Sequence, residues 1–322
     1  MKTLLSLFTI TTILAMSAHA AAQEFPSRPV HWILSQPAGS SPDISARLVA
    51  DGLSKTWSQQ VVVDNRPGGQ NVIGAQAAAK SPADGYNYYF GTTAALISNA
   101  FTFKSLPYDT ERDFVPVAMI GKSPLVIAVN NSVPAKSIAE LVALDKKEPG
   151  KLAAANEGTK TFGGMMSQLL NVATGMQLLQ VPYNGVAPAL QDTVAGRTQV
   201  VLVTSAAMSP YIKRGELRPI AVTSGKRVTG LESVPTMAES YPGFEYVGWF
   251  ALVAPTGTPD AIIRKVNADV NAVLAQPEVQ KRLLDLGAIN EGPGTPEQVA
   301  QFFKDERARW AKLVKDIKLQ PE

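Results

Sequence analysis

Twice along this chain, short apolar runs alternate with helical stretches in the same order, and this duplication constrains the fold more than any other feature. In the first half, "VHWIL" (Val30 to Leu34) leads through a loop of small and hydroxylated residues into an amphipathic stretch at Ile44 to Leu53. "QVVVDN" (Gln60 to Asn65), the helical "IGAQAAAK" and the strand "YNYYFGT" follow, and "FVPVAMI" (Phe114 to Ile120) closes the half. After "GKSP", a strand "LVIAVN" and a helix over Ile138 to Lys147 lead into the same order again, with "KLAAAN", "MQLLQVPY", "TQVVLVTS" and "LRPIAVTS" as strands. Strands separated by helices imply crossover connections and parallel pairing, the α/β class. A last strand, Trp249 to Ala254, precedes helices opened by Thr258-Pro259 and Thr295-Pro296, which suit the N-cap and first-turn positions. If that strand returns to the first half, the chain crosses twice between two similar lobes. Residues 23–122 plus 246–322 then form a discontinuous first lobe, residues 123–245 form the second, and the crossings near Gly121 to Pro124 and Tyr246 to Trp249 act as a hinge.

The residues before this pattern are of a different kind. Lys2, the apolar "LLSLFTITTILAMSA" and a small-residue ending at Ala18 to Ala20 or Ala20 to Ala22 read as a cleaved secretory signal, residues 1–22. No other segment approaches the roughly 20 apolar residues of a membrane-spanning helix. The absence of cysteine excludes disulfides, thiolate metal sites, thiol nucleophiles and a lipid-modified cysteine anchor, so the periplasm is the simplest compartment. The formal net charge of +3 falls to +2 once Lys2 leaves with the signal, and with no long basic run nucleic acid is not an expected partner. The mature chain of about 300 residues is long enough for two domains with real cores, and a monomer is expected.

Catalysis finds little to work with. Of the two histidines, only His31 lies beyond the signal, and its place inside "VHWIL" predicts burial, which leaves no partner for a serine triad. No GxSxG elbow, HExxH helix or P-loop occurs, so no catalytic residue, metal site or cofactor is expected. An exported hydrolase or isomerase is the lesser alternative.

The loops after the first strand of each half, Ser35 to Asp43 and Asn156 to Gly164, offer binding chemistry instead. A helix start leaves about four backbone N–H groups unpaired and carries roughly half a positive charge, so an anion placed there gains hydrogen bonds and a favourable field. Hydroxyls on Ser40, Ser41, Thr159 and Thr161 can add donors, and Gly39, Gly158 and Gly163 allow close backbone approach. The third strands end in Thr92 and Thr93 in one half and Thr204 and Ser205 in the other, on the same carboxyl edge where ligands of open parallel sheets sit. For Ser40, Ser41, Asp43 and the strand-end hydroxyls, helix capping is the competing role. Lys160 is either a solvated lysine or a ligand contact, and Phe162, with Met165 and Met166, either packs in the core or covers a flat ligand. "NRPGG" (Asn65 to Gly69) reads as a structural turn in which Arg66 pairs locally.

"FPSRPVHWILSQPAGSSPDISARLVADGLSKTWSQQVVVDNRPGG", "SPADGYNYYFGTT", "LPYDTERDFVPVAMIGKSPLVIAVN", "VPYNGVAPALQD", "IKRGELRPIAVTSGKR" and "GWFALVAPTGTP" together resemble the exported solute-binding proteins of tripartite tricarboxylate transporters, the Bug family. The resemblance runs almost end to end. It implies a two-lobed periplasmic-binding-protein fold of the Venus-flytrap, type II-like kind. It also implies capture of a small carboxylate in the cleft and delivery to a permease with two membrane subunits. A periplasmic sensor presenting the ligand to a signalling receptor is the alternative. In the family the pocket is built mainly by the two loops, which places Gln36, Pro37, Ala38, Gly39, Ser40, Ser41 and Asp43 opposite Gly158, Thr159, Lys160, Thr161 and Phe162. Relatives commonly read "PFAPGGGTD" in the first loop; here Pro37, Gly39 and Asp43 match while Ser40 and Ser41 replace glycines. In the second loop Lys160 stands where glycine is usual and Gly164 where histidine is usual. Val203 stands near where many relatives carry an aspartate or asparagine suited to an ammonium group, and Phe162 and Met208 add apolar character. A dicarboxylate or aromatic carboxylate is therefore expected in preference to an acidic amino acid.

Overall fold

The computed structural model describes residues 25–321, so the expected signal at residues 1–22 lies outside the described residues. The first half lays down β1 (Val30–Leu34), α1 (Ser41–Trp57), β2 (Val61–Asn65), α2 (Val72–Ala79) and β3 (Asn87–Thr92). β1 is parallel to β2 on one side and to β3 on the other. A π-helical turn at Ala94–Ser98 runs into α3 (Asn99–Thr102) and then β4 (Phe114–Asn130). The second half follows with α4 (Ile138–Lys147), β5 (Ala153–Asn156), α5 (Phe162–Thr174), β6 (Leu179–Pro182), α6 (Val186–Val194), β7 (Val200–Thr204), α7 (Ser205–Lys213) and β8 (Leu217–Val222). There β5 is parallel to both β6 and β7, as β1 is to its neighbours. β9 (Val247–Pro255), α8 (Asp260–Leu274), α9 (Pro277–Asp285) and α10 (Pro296–Asp316) complete the chain.

Strand alternation explains how the first sheet is covered. Val30, Trp32 and Leu34 point to one face, where α1 and α8 bury them with Val49, Leu53, Val266 and Val270. Ile33 points the other way and packs with Ala75 and Ala78 of α2. His31 shares that second face, but α2 is short and meets the carboxyl end of β1, so His31 is exposed, as is its register partner Val62. The burial expected for His31 is thus corrected: the helix that would cover it stops short.

"FVPVAMI" and "LVIAVN" are likewise not two strands. β4 is continuous for 17 residues, straight through "GKSP". The breakers Gly121 and Pro124 stay extended because β9 pairs alongside them, Gly121 opposite Phe250 and Pro124 opposite Val247, with irregularities absorbed further back at Pro116/Ala118 and Met119/Gly121. From Leu125 onward β4 pairs instead with β7 and β8. A single strand therefore belongs to both sheets, and the overall order is β2-β1-β3-β9-β4-β7-β5-β6 with β8 beside β4.

Behind this junction lies α10. Its start carries a reciprocal cap, in which Thr295 Oγ1 accepts from Gln298 N at 3.3 Å and Gln298 Oε1 accepts from Thr295 N at 2.8 Å. Phe303, Trp310 and Leu313 on its inner face share one apolar cluster with Trp249 of β9, Ile33 of the first sheet and Met165, Met166 and Leu169 of α5. The Trp249 ring stacks on Phe303 at 4.9 Å, and its Nε1 donates to Glu306 Oε2 at 3.0 Å. Arg309 Nη1 donates to Glu306 Oε1 at 2.7 Å. Burial pushes the Glu306 carboxyl above the ordinary glutamate range, while Trp249 and then Arg309 work against that shift.

Candidate functional site

At the carboxyl ends of β1, β2 and β3 the loops are tied into one network. Asp43, in the first turn of α1, is 2% exposed. Its carboxylate accepts from Gly39 N at 2.8 Å, Arg47 Nε at 3.0 Å and Asn65 Nδ2 at 2.8 Å. Burial raises this carboxyl, and Arg47, the Gly39 amide and Asn65 together outweigh it, so Asp43 lies below the usual carboxylate value. Asp43 thus holds the loop backbone from inside, and Gly39, at φ +81°, supplies the left-handed turn. Gln36 donates to Asn71 through its side-chain amide, and its carbonyl accepts from Asn65 Nδ2 at 3.0 Å. Ser35 Oγ lies 3.0 Å from Asn71 O and 2.6 Å from the Tyr89 hydroxyl. Thr93 Oγ1 accepts from Trp249 N at 2.8 Å, which joins the end of β3 to the β4/β9 junction. Thr92 Oγ1 is buried with no hydrogen-bond partner among the described residues.

The two serines do not cap α1. Ser40 Oγ donates to Pro37 O at 2.7 Å and Ser41 Oγ to Leu286 O at 3.0 Å. No side chain among the described residues caps this helix, whose start also lacks an N–H at Pro42. Pro37, Ala38 and Gly39 are exposed along the same turn.

The second loop is built differently. Thr161 is the N-cap of α5: its Oγ1 accepts from Gly164 N at 3.1 Å and donates to Gly158 O at 2.7 Å. Glu157 Oε1 accepts from Gly163 N at 3.0 Å. The glycines expected to admit a ligand admit the protein's own groups: a Cβ on Gly163 would lie 2.3 Å from Glu157 Oε2, and one on Gly164 1.8 Å from Gly158 O. Three of the four hydroxyls read as donors to an anion therefore already donate to carbonyls, and the start of α5 is filled from within. Burial is the main cause that raises the Glu157 carboxyl, against its own amide, the Gly163 amide and Thr161. Thr159 is exposed, Lys160 half-buried, and Phe162 sits 6.1 Å from the Trp310 ring, with its edge 3.8 Å from where a Cβ on Gly248 would be. Met208, expected beside the ligand, is fully buried in the core under β7 and β8. Thr204 caps α7 with a long contact of 3.5 Å from Ala207 N, and Ser205 is buried. Arg66 pairs with Asp64 at 2.7 Å, as the turn reading anticipates.

The two sets approach each other beside α9. Gly287 follows Leu286, the acceptor of Ser41, and a Cβ on Gly287 would lie 2.5 Å from Ala206 Cβ at the start of α7. The starts of α1 and α7 are thus two adjacent residues apart. Sequence reasoning missed Asn65, Asn71, Glu157 and Gly287; of these only Asn65, the last residue of β2, was accessible through the strand-end rule applied to Thr92 and Thr93.

The family model described as tripartite tricarboxylate transporter family receptor matches residues 45–319. The chain belongs to that receptor family. Within it, the chain is 35% identical over 303 residues to Protein BugT of Bordetella pertussis, covering 94% of this chain and 93% of that one. A Pseudomonas protein encoded in a tcbD-tcbE intergenic region is 37% identical over 297 residues, covering 92% and 88%. Among solved structures, an R. palustris protein with adipate superposes with TM-score 0.80 at 34% identity, covering 93% of this chain and all of that one. The periplasmic binding protein BugD gives TM-score 0.74 at 30% identity, covering 92% and 100%. This family member therefore has the two-lobed α/β fold of these receptors, and its role is solute binding.

Within the receptor's first loop, Asp43 has a measurable energetic signature. Its contribution is present above the ordinary aspartate pKa and is lost as pH falls through the lowered folded-state value. Asp43→Asn is therefore expected to cost about 2–3 kcal/mol at neutral pH, since hydrogen bonds to charged groups contribute about 1.5–3 kcal/mol and the half-exposed Arg47 partner adds little. Urea denaturation at a series of pH values should show this gap closing in acid; a gap independent of pH would contradict the assignment.

Proposed function

We propose that the chain is a periplasmic receptor that holds a small carboxylate at the start of α1, between lobes formed by residues 23–122 plus 246–322 and residues 123–245. The ligand class favoured is a dicarboxylate or an aromatic carboxylate, passed on unchanged to the permease subunits of a tripartite transporter. The observation that carries this reading is the start of α1, which lacks a side-chain cap, is held rigid by Asp43 and lies against the approach of Gly287 to Ala206. Backbone N–H groups at a helix start bind carboxylates without a metal or cofactor. Two related structures, the R. palustris protein with adipate and MatC from the same genus with malate, contain carboxylates and support the class. MatC gives TM-score 0.73 at 29% identity over 90% of this chain. Gln36, Pro37, Ala38, Gly39, Ser40 and Ser41 line the proposed seat from one side. Thr92, Thr93, Gly158, Thr159, Lys160, Thr161, Phe162, Thr204 and Ser205 complete it.

A thermal-shift screen of the mature protein against adipate, malate, benzoate and aspartate tests the reading. A ligand at about 100 times its Kd adds about 2.7 kcal/mol to native-state stability, so a clear rise in Tm is expected for adipate or benzoate and little for aspartate. A response to none of the carboxylates, or conversion of a bound one, would refute it.

A further inference from the structure

The second loop contains a carboxyl group where the receptor fold offers an anion its other seat. Glu157 immediately follows β5, and its side chain folds back over the first turn of α5 rather than away from it. One oxygen takes the Gly163 amide at 3.0 Å. The other, Oε2, is buried and has no hydrogen-bond partner among the described residues. Residue 163 must be glycine for this to happen, because any Cβ there would meet both carboxyl oxygens, at 2.3 Å and 2.6 Å. With Thr161 on the Gly164 amide, two of the N–H groups at this helix start are already taken by side chains. The arrangement is that of an anion at a helix N-terminus, with the anion supplied by the chain itself.

A built-in carboxylate has a consequence for selectivity that the proposed carboxylate-binding role makes testable. An ionised ligand carboxylate brought up to α5 meets a like charge in a place poor in water, and two carboxylates in one site cannot both stay ionised at ordinary cost. We propose that Glu157 is a specificity-determining residue of the site: it refuses a second ionised carboxylate at the start of α5 unless a proton is taken up with it. This rests on the carboxylate reading given above. The groups acting on Glu157 are its own amide, the Gly163 amide and the Thr161 hydroxyl, none of them charged. The adjoining residue Asn156 on β5 is uncharged and bonded to the uncharged Gln180 of β6, Gln168 of α5 bonds the Thr159 carbonyl, and Lys160, in the same loop, is the charged side chain nearest in sequence. Burial raises the carboxyl above the ordinary glutamate value before any ligand arrives, a shift in the direction of proton uptake. Once protonated, Oε2 changes from an orphan acceptor into a donor and can hydrogen-bond the incoming carboxylate.

The test compares wild type with Glu157→Gln, which keeps an acceptor for the Gly163 amide and removes the charge. Adipate and hexanoate serve as probes, one with two carboxylates and one with a single carboxylate on the same length of chain. Calorimetry in buffers of different ionisation heat, between about pH 6 and about pH 8 where both probes are ionised, reads proton uptake and affinity together. Wild type is expected to take up close to one proton with adipate and to lose about tenfold in affinity per pH unit at the alkaline end. Glu157→Gln is expected to bind adipate with no proton uptake, a flat pH profile and at least about tenfold higher affinity at the alkaline end, with hexanoate changed much less in both proteins. A carbon-13 titration of the Glu157 carboxyl in ligand-free wild type needs no variant and should move upward when adipate is added. Identical pH profiles for the two proteins, or adipate binding without proton uptake in wild type, overturns the role of Glu157 while leaving carboxylate binding intact. Binding of neither probe to either protein overturns it together with the reading it rests on, a result the thermal-shift screen reports separately.

Discussion

Replacing Trp249 by alanine is expected to lower the unfolding free energy by about 4–5 kcal/mol, the upper end for a buried aromatic truncation. The residue is 1% exposed, stacks on Phe303 at 4.9 Å and donates to Glu306 at 3.0 Å. Its loss opens a cavity where β9 meets α10 and strips a neutral donor from a carboxyl that is 2% exposed. Trp249→Phe keeps most of the ring contact and loses only the indole bond, so a smaller cost of about 1–2 kcal/mol is expected. The Glu306 side of this contact also has a pH sign. Because its folded-state pKa is raised, its contribution is complete below the ordinary glutamate value and is lost as pH rises through the raised one. Urea melts of wild type and both variants check the order. An alanine variant as stable as the phenylalanine one would mean that the joint repacks without the ring.

Gly164→Ala is the second large effect. The new methyl would meet the Gly158 carbonyl oxygen at 1.8 Å and the Thr159 carbonyl carbon at 3.1 Å, and these are backbone atoms that cannot rotate aside. Overpacking against a flexible neighbour costs about 1–3 kcal/mol; here the whole loop must move, so at least about 3 kcal/mol is expected. The displaced loop also carries Gly158, Thr159 and Lys160 away from the proposed seat, so carboxylate affinity should fall by about a hundredfold or more. Gly175→Ala, at the left-handed C-cap of the same helix, makes a fair comparison, since a methyl there meets no atom within 4 Å. It should lose stability through backbone strain of about 1–2 kcal/mol but keep affinity. Calorimetry on both variants separates the cases, and undiminished binding by Gly164→Ala would show that the second loop does not shape the site.

The strand, loop and helix repeat was legible because it depends on local pattern. Val30 to Leu34 and Ile138 to Lys147 begin and end in the structure where the alternation and the 3.6-residue period put them. What escaped depended on partners far away in sequence. Gly121 and Pro124 look like a turn until β9, more than a hundred residues later, is laid beside them. His31 looks buried until the length of α2 is known. At the candidate site, Gly39 and Gly158 do sit at positive φ, but the sequence does not say which group comes close. Gly163 and Gly164 proved to make room for Glu157 and for the Gly158 carbonyl rather than for a visitor. Any side chain larger than glycine at position 164, including the histidine that the family resemblance leads one to expect there, would meet the Gly158 carbonyl in this loop as it stands.

The apolar cluster that α10 closes has a consequence for the order in which the molecule can be made. Residues 296–316 follow both repeats in the chain, and they carry Phe303, Trp310 and Leu313, which sit against both sheets at once. Domains generally form from the N-terminal side as synthesis proceeds at about 5–20 residues per second. Both repeats of this chain are therefore translated before the piece that locks them together exists. Placing the lock after both repeats withholds the finished architecture until both have been made.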